Sequence, residues 1–106
     1  MADIKTNHED IEYFKRVSHG VGGSYQNWQG EPPRHAVYQI KTSRGVSAVV
    51  AYDLTERVAY KEDVKIVNGA EGPENRPFKN DADYSTLPTE LQNYIREKVI
   101  EDFKSN

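Results

Sequence analysis

Residues 36–68 alternate between apolar and polar side chains, the pattern of half-buried β-strands. In the first strand of this stretch we expect three side chains to face inward: Ala36, Tyr38 and Ile40. Residues 42–45 then predict a hairpin turn, in which Gly45 suits the left-handed position of a three-residue loop. The pattern therefore begins with a β-hairpin.

The alternation continues beyond this turn. Residues 46–53 carry an apolar set on one face: Val46, Ala48, Val50 and Tyr52. After a second turn at 53–56, another set shares one parity, forming one strand bent at 62–63 or two short strands: Val58, Tyr60, Val64 and Ile66. Tyr38, Tyr52 and Tyr60 share parity with the aliphatic residues of their segments, so we expect their rings to face the core. Short strands joined by tight turns predict an antiparallel meander of three to four strands.

Residues 87–104 show the period of an amphipathic helix. Apolar side chains recur at every fourth position: Leu87, Leu91, Ile95, Val99 and Phe103. Pro88 suits a first helical turn, and Lys104 suits the negative end of the helix. This segment is predicted to be a helix that packs on one face of the sheet.

Residues 7–19 are interpreted as an N-terminal helix, with Asn7 as its N-cap and Gly20 as its stop. Ile11, Phe14 and Val17 recur at a spacing of three, which makes one helical stripe. A strand is the competing interpretation, because Ile11, Tyr13 and Val17 also share parity. With either choice, one or two helices on one face of an antiparallel sheet make an α+β domain.

The remaining segments are polar or rich in glycine and proline. Residues 1–6 are predicted to be a flexible terminus, and residues 19–35 a long loop rich in glycine that also carries Trp28. Residues 69–86 predict a second, polar loop. The turn acids at 53, 56, 62, 63, 81 and 83 are expected to be solvated. The whole chain, residues 1–106, is read as one domain.

Composition excludes several classes of protein. The 106 residues include no cysteine, which leaves no disulfide, thiol nucleophile or cysteine-bound zinc. With 14 basic and 17 acidic residues, the formal charge of −3 disfavours a broad DNA-coating surface. No apolar stretch is long enough for a transmembrane helix, and residues 1–10 show no secretory signal. We therefore expect a cytoplasmic protein with no membrane partner and no cofactor.

The loop at 19–35 holds the best candidates for binding. Trp, Tyr and Arg are enriched in binding hot spots, and the loop and its end supply four candidates: Tyr25, Trp28, Arg34 and His35. The competing interpretation, which we favour for the indole itself, is that Trp28 plugs the sheet edge or core. No catalytic motif is visible. The sequence thus predicts a non-enzymatic binding or regulatory protein, an inhibitor or adaptor, with a protein or small-ligand partner.

Two further functions are weighed against this one. A nucleic-acid-binding module would use basic residues of the meander: Lys41, Arg44, Arg57, Lys61 and Lys65. A small hydrolase or metal-dependent enzyme would need His19, His35 and Asp53 to converge, although their spacing matches no metal motif and no metal site is predicted. An exposed sheet edge, or the helix at 87–104, could support a homodimer.

Overall fold

Five strands, neighbours in chain order, form one antiparallel sheet with a C-terminal helix on one face. The computed structural model describes residues 2–22, 25–69 and 81–105. The strands are β1 (Ala2–Asp3), β2 (Ile11–Val21), β3 (Arg34–Thr42), β4 (Gly45–Asp53) and β5 (Val64–Asn68). The helix is α1 (Thr89–Ser105), and short 3-10 turns lie at Lys61–Asp63 and Tyr84–Thr86. The predicted α+β class, with its meander and C-terminal helix, is confirmed.

The apolar stripe of α1 forms one wall of the core. Four of its five predicted residues lie in the helix and are buried: Leu91, Ile95, Val99 and Phe103. Leu87, the first member of the stripe, lies just before the helix and is buried too. Opposite them stand the inward side chains of β3, which are Ala36, Tyr38 and Ile40 as predicted. Burial of these two apolar surfaces against each other holds the layers together.

The helix predicted over residues 7–19 does not form. Residues 11–19 belong to β2, which is the competing interpretation of this segment as a strand. The register pairs Ile11 with Thr42 but Tyr13 with Lys41, so Glu12 is an extra residue in a β-bulge. The bulge brings Ile11 and Phe14 to the same, buried face of the sheet although they are three residues apart. A bulged strand thus imitates the spacing of one helical turn.

The apolar set predicted on β4 does share one face, but this is the face turned away from α1. Tyr38 lies opposite Val49, and Ile40 lies opposite Ser47, so the core side of β4 is its odd-numbered residues. Tyr52 therefore does not face the core with Tyr38. We call the side of the sheet away from α1 the outer face. The alternation of residue types does not show which face of β4 packs against α1, because residues 48–51 in the middle of the strand are all apolar.

The hairpin between β3 and β4 is tighter than predicted. Thr42 pairs with Gly45, which leaves a loop of Ser43 and Arg44 rather than three residues. Gly45 has the expected positive φ, at 120°. A Cβ at this position would lie 2.6 Å from the Cβ of Asp81, so both backbone angle and space require glycine.

The third apolar stretch forms a strand only in its second half, β5. Residues 54–60 make an irregular connection instead, in which Glu56 and Val58 have positive φ angles of 66° and 48°. Tyr60 therefore lies outside any strand and is exposed, contrary to the prediction that it faces the core. The first predicted loop, 19–35, is shorter than predicted, because residues 19–21 belong to β2 and residues 34–35 to β3. Residues 23–24 of this loop and 70–80 of the second lie outside the described residues. Across the described ranges, no helix is long and apolar enough to cross a membrane.

Candidate binding surface

The loop between β2 and β3 is fastened to the connection that follows β4. The Trp28 backbone N–H donates to the Leu54 carbonyl over 2.9 Å. Asn27, which is buried, closes the loop because its side-chain oxygen accepts from the backbone N–H groups of Gln29 and Glu31 at 3.0 and 2.9 Å. Such side-chain-to-backbone bonds give an irregular segment one conformation. Residues 27–31 are thus held in one conformation around Asn27 and bonded to the connection after β4.

Trp28 lies on the surface, held by one end. Its indole remains 64% exposed, whereas the ring N–H donates to the Asp63 carboxylate over 3.1 Å. The prediction that the indole plugs the core or the sheet edge is therefore wrong. The physical reason is that a buried acceptor stands just outside the core and satisfies the indole N–H there.

Asp63 also fixes a second exposed aromatic residue. Its other carboxylate oxygen accepts the backbone N–H of Tyr60 over 3.1 Å, and its own N–H donates to the Tyr60 carbonyl over 3.0 Å. The Tyr60 side chain is 70% exposed. One buried carboxylate thus positions two exposed aromatic residues from distant parts of the chain. We call Trp28, Tyr60 and Asp63 the Trp28–Tyr60 surface.

A second buried carboxylate, Asp53, shapes the connection from β4 to β5. It is fully buried and accepts from the Arg34 guanidinium at 2.8 Å and from the Thr55 backbone N–H at 3.1 Å. It also accepts from the Val58 backbone N–H at 3.3 Å. Val58 needs such support, since a β-branched residue rarely adopts a positive φ. Strained backbone of this kind persists only where surrounding contacts over-determine it.

The expectation that the turn acids are solvated is therefore wrong for Asp53 and Asp63. Both carboxylates are buried because their acceptor oxygens are used: Asp53 by Arg34, Asp63 by Trp28. Their donors lie 19 and 35 residues away in the chain, so turn composition alone could not reveal the burial.

A groove adjoins the Trp28–Tyr60 surface. It has a volume of about 270 Å³ and lies between residues 59–61 and the C-terminal half of α1. Tyr60 lines it, and Ile100 contributes apolar surface from the helix. The Lys61 ammonium bridges the two sides through the Glu97 carboxylate at 3.0 Å. The groove therefore combines an apolar lining with charged borders.

The four residues predicted as a binding set do not come together. Arg34 turns toward the core side, where its guanidinium lies 5.0 Å from the ring centroid of Phe103. His35, next along the strand, points to the outer face and lies 5.9 Å from the ring of Tyr52. Tyr25 packs on that same ring at 4.9 Å. Arg34 and His35 lie on opposite faces because adjacent strand residues alternate between faces. Trp28 is the one member at the Trp28–Tyr60 surface.

Tyr60 is the surface residue that sequence reasoning missed. Its parity with Val58 and Val64 placed it in a strand. The available signal was the run of charged residues 61–63 directly after it, which favours a turn over a strand. An aromatic residue before such a turn has no sheet neighbour to cover its ring.

The basic residues considered for nucleic acid are spread over the molecule. Lys41 and Lys65 lie on strand positions of the outer face. The remaining three lie elsewhere: Arg44 in the hairpin loop, Arg57 in the connection after β4, and Lys61 in its ion pair. They do not form a single patch.

The histidines considered for a metal or hydrolytic site do not converge either. His19 pairs with Ala36 and so lies on the α1 side, whereas His35 lies on the outer face. Asp53 is committed to Arg34. In the ranges that the structure covers, no group of three His, Asp or Glu residues is arranged to hold a metal ion.

Comparison of the chain with protein-family models, curated proteins and solved structures finds no match.

Proposed function

We propose that this protein is a small, non-enzymatic binding domain of the cytoplasm that regulates a partner protein, as an inhibitor or adaptor, through the Trp28–Tyr60 surface. The observation that carries the proposal is the exposed Trp28 indole held by the buried Asp63 carboxylate. Tryptophan and tyrosine dominate binding hot spots because their rings bury a large area and keep a polar tip.

The fixed position of both aromatic residues supports a binding role. Ordering a flexible side chain at an interface costs about 0.5–1.5 kcal/mol, and prior immobilisation removes part of that cost. Asp63 immobilises the indole directly and the Tyr60 backbone through two hydrogen bonds. The surface is thus organised before any partner arrives.

A protein partner fits this surface better than a small ligand. Pockets for small molecules usually enclose roughly 300–1,000 Å³ and bury most of the ligand. The adjoining groove has about 270 Å³, and Trp28 and Tyr60 project from the surface. Projecting aromatic rings suit insertion into a complementary partner surface, with charged residues such as Glu97 and Lys61 at the rim.

Removal of the indole tests the proposal. Tagged wild-type protein is used to capture partners from the native host, and the captured protein is purified and titrated by calorimetry. Trp28→Ala should weaken binding by more than about 1–2 kcal/mol. It should also lower the melting temperature, because the buried Asp63 carboxylate loses the indole N–H as a donor, so binding is measured at a temperature at which the variant is folded. Tyr60→Ala should act in the same direction.

Tyr25→Ala is the control, because this aromatic residue of the same loop packs on the outer face. Equal affinity of wild type and Trp28→Ala for every captured partner would overturn the proposal. Since Trp28 is the single tryptophan, its fluorescence gives a direct readout. The emission should resemble that of indole in water and shift to shorter wavelength when the partner binds.

Nucleic-acid binding stays a prediction with a separate test. Lys41 and Lys65 share the outer face, which is the observation in its favour. Titration with single- and double-stranded oligonucleotides over a salt series distinguishes it from protein binding. A slope of several units in the logarithm of the binding constant against the logarithm of the salt concentration would support nucleic-acid binding, since each neutralised phosphate releases counterions. If no oligonucleotide binds at low salt, the nucleic-acid-binding prediction is wrong.

A further inference from the structure

Half of strand β2 has an open edge. β1 pairs only with Lys15 and Arg16, and the Ile4 N–H donates to Phe14 next to them. Within the described ranges, no strand lies beside residues 17–21 on that side. An unpaired strand edge presents backbone donors and acceptors and is a template for another strand.

The register shows which backbone groups point outward. The Gly22 N–H donates to the Pro33 carbonyl at 2.9 Å, so position 22 turns toward β3. In an antiparallel ladder, residues alternate between turning toward one neighbour and the other. Gly20 therefore turns toward β3, while His19 and Val21 direct their N–H and C=O groups to the open side.

The open edge lacks the usual protection against pairing. Natural edges are blunted by charged side chains, prolines or covering segments. Residues 17–21 read Val-Ser-His-Gly-Val, without Lys, Arg, Asp, Glu or Pro, and the Val21 side chain is 75% exposed. At the two ends of the opposite edge, β5, Arg96 bonds the Val64 carbonyl, and the Asn68 side-chain oxygen accepts the Tyr84 N–H.

We infer that two copies of this chain associate through antiparallel pairing of this β2 edge. His19 of one copy lies opposite the partner's Val21, so that the outward groups of both residues find partners. Gly20 then lies on the two-fold axis, where the absence of a side chain allows close approach. The same outward residues on each copy make the edge self-complementary, as a symmetric dimer requires. The helix is not available for this role, because its apolar stripe is buried in the core.

Pairing over so few residues buries little surface, so the dimer is weak and depends on concentration. It is independent of the Trp28–Tyr60 surface, since it uses only the backbone of β2. Failure of one proposal therefore leaves the other in place.

Analytical ultracentrifugation of the full chain tests the dimer. Over about 10 μM to about 1 mM, a range suited to a small interface, the mass should rise from 12.1 kDa toward twice that value. Val21→Pro removes an outward N–H that has no bond within the sheet, so it should keep the fold and weaken association at least tenfold. Val21→Thr, which keeps the N–H and a β-branched side chain, is the matched control and should associate like wild type.

A second variant guards against a folding defect in Val21→Pro. His19→Lys places a charge on an exposed edge position and should likewise weaken association, while circular dichroism confirms the fold. A wild-type protein that remains monomeric over the whole range would overturn the inference. The inference would also be overturned if Val21→Pro or His19→Lys is folded and associates as strongly as the control, Val21→Thr.

Discussion

At the scale of single residues, two buried aspartates organise the irregular segments around the proposed binding surface. Asp53 serves the backbone of residues 55 and 58 together with Arg34, and Asp63 serves Trp28 and Tyr60. Every hydrogen bond that the structure describes for these two carboxylates comes from a donor of the protein itself. Through these hydrogen bonds, each carboxylate holds an irregular segment of the backbone in one conformation.

Removal of the Asp53 carboxylate should be costly. Asp53→Ala removes the acceptor of the Arg34 guanidinium and of the Thr55 backbone N–H, and losing one member of a buried ion pair costs about 3–5 kcal/mol. Because Arg34 is partly exposed, we expect the lower end of that range. Urea unfolding measures the effect. Glu62→Ala, at an exposed acid of the same region, should change the free energy of unfolding by less than about 0.5 kcal/mol.

At the scale of elements, β2 shows why local patterns mislead. The spacing of Ile11 and Phe14 is helical, yet a one-residue bulge gives a strand the same spacing. The strand forms because β1 and β3 supply hydrogen-bonding neighbours on both sides of residues 15 and 16. The pairing with β3 involves residues more than twenty positions away, which a local window cannot contain.

Gly45 of the β3–β4 hairpin is predicted to tolerate substitution poorly. Gly45→Ala must accept both a positive φ and a contact with the Asp81 side chain, whereas Gly30→Ala meets a positive φ with open space around it. We expect Gly30→Ala to cost about 1 kcal/mol of unfolding free energy and Gly45→Ala roughly 1 kcal/mol or more beyond that. Chemical denaturation of both variants measures the difference. Equal costs would show that Asp81 gives way freely.

At the scale of the whole molecule, a polar network ties the helix to the sheet. The hydroxyl of Tyr38, a core residue of β3, donates to the Asp102 carboxylate over 2.8 Å. Arg16 of β2 donates to both oxygens of the same carboxylate at 3.1 Å. Apolar packing sets the distance between the layers, and this network specifies how α1 is aligned on the strands.

Alkaline pH should loosen this connection. Burial, reinforced by the hydrogen bond to Asp102, raises the pKa of Tyr38 well above its usual value. The folded protein therefore keeps the phenolic proton where the unfolded chain, with a tyrosine pKa of about 10, releases it. The stabilising contribution is complete below about pH 10 and is lost as the pH rises further.

Tyr38→Phe tests this pH dependence. The variant should lose about 1–2 kcal/mol near neutral pH, because a hydrogen bond to a charged acceptor is removed. Above about pH 10 its free energy of unfolding should fall less steeply than that of wild type. Urea titrations at several pH values measure both effects, with Tyr60→Phe at an exposed ring as control. Parallel curves for Tyr38→Phe and wild type would contradict the assigned role of Tyr38.

The sequence by itself determined α1 and the hairpin of β3 and β4. Their signals are local: a four-residue apolar repeat in one, and alternation around a glycine turn in the other. Composition also determined that no thiol chemistry is available, since the chain has no cysteine. These conclusions depend on residues close together in the chain, or on residue types alone.

Only the tertiary structure decided where the aromatic and acidic side chains lie. The bond from Trp28 to Asp63 joins residues 35 positions apart, and the bond from Tyr38 to Asp102 joins residues 64 apart. Burial of a carboxylate or exposure of an indole follows from such partners and not from neighbouring residues. The candidate surface was therefore visible in sequence only through Trp28, and folding supplied Tyr60, Asp63 and the groove beside them.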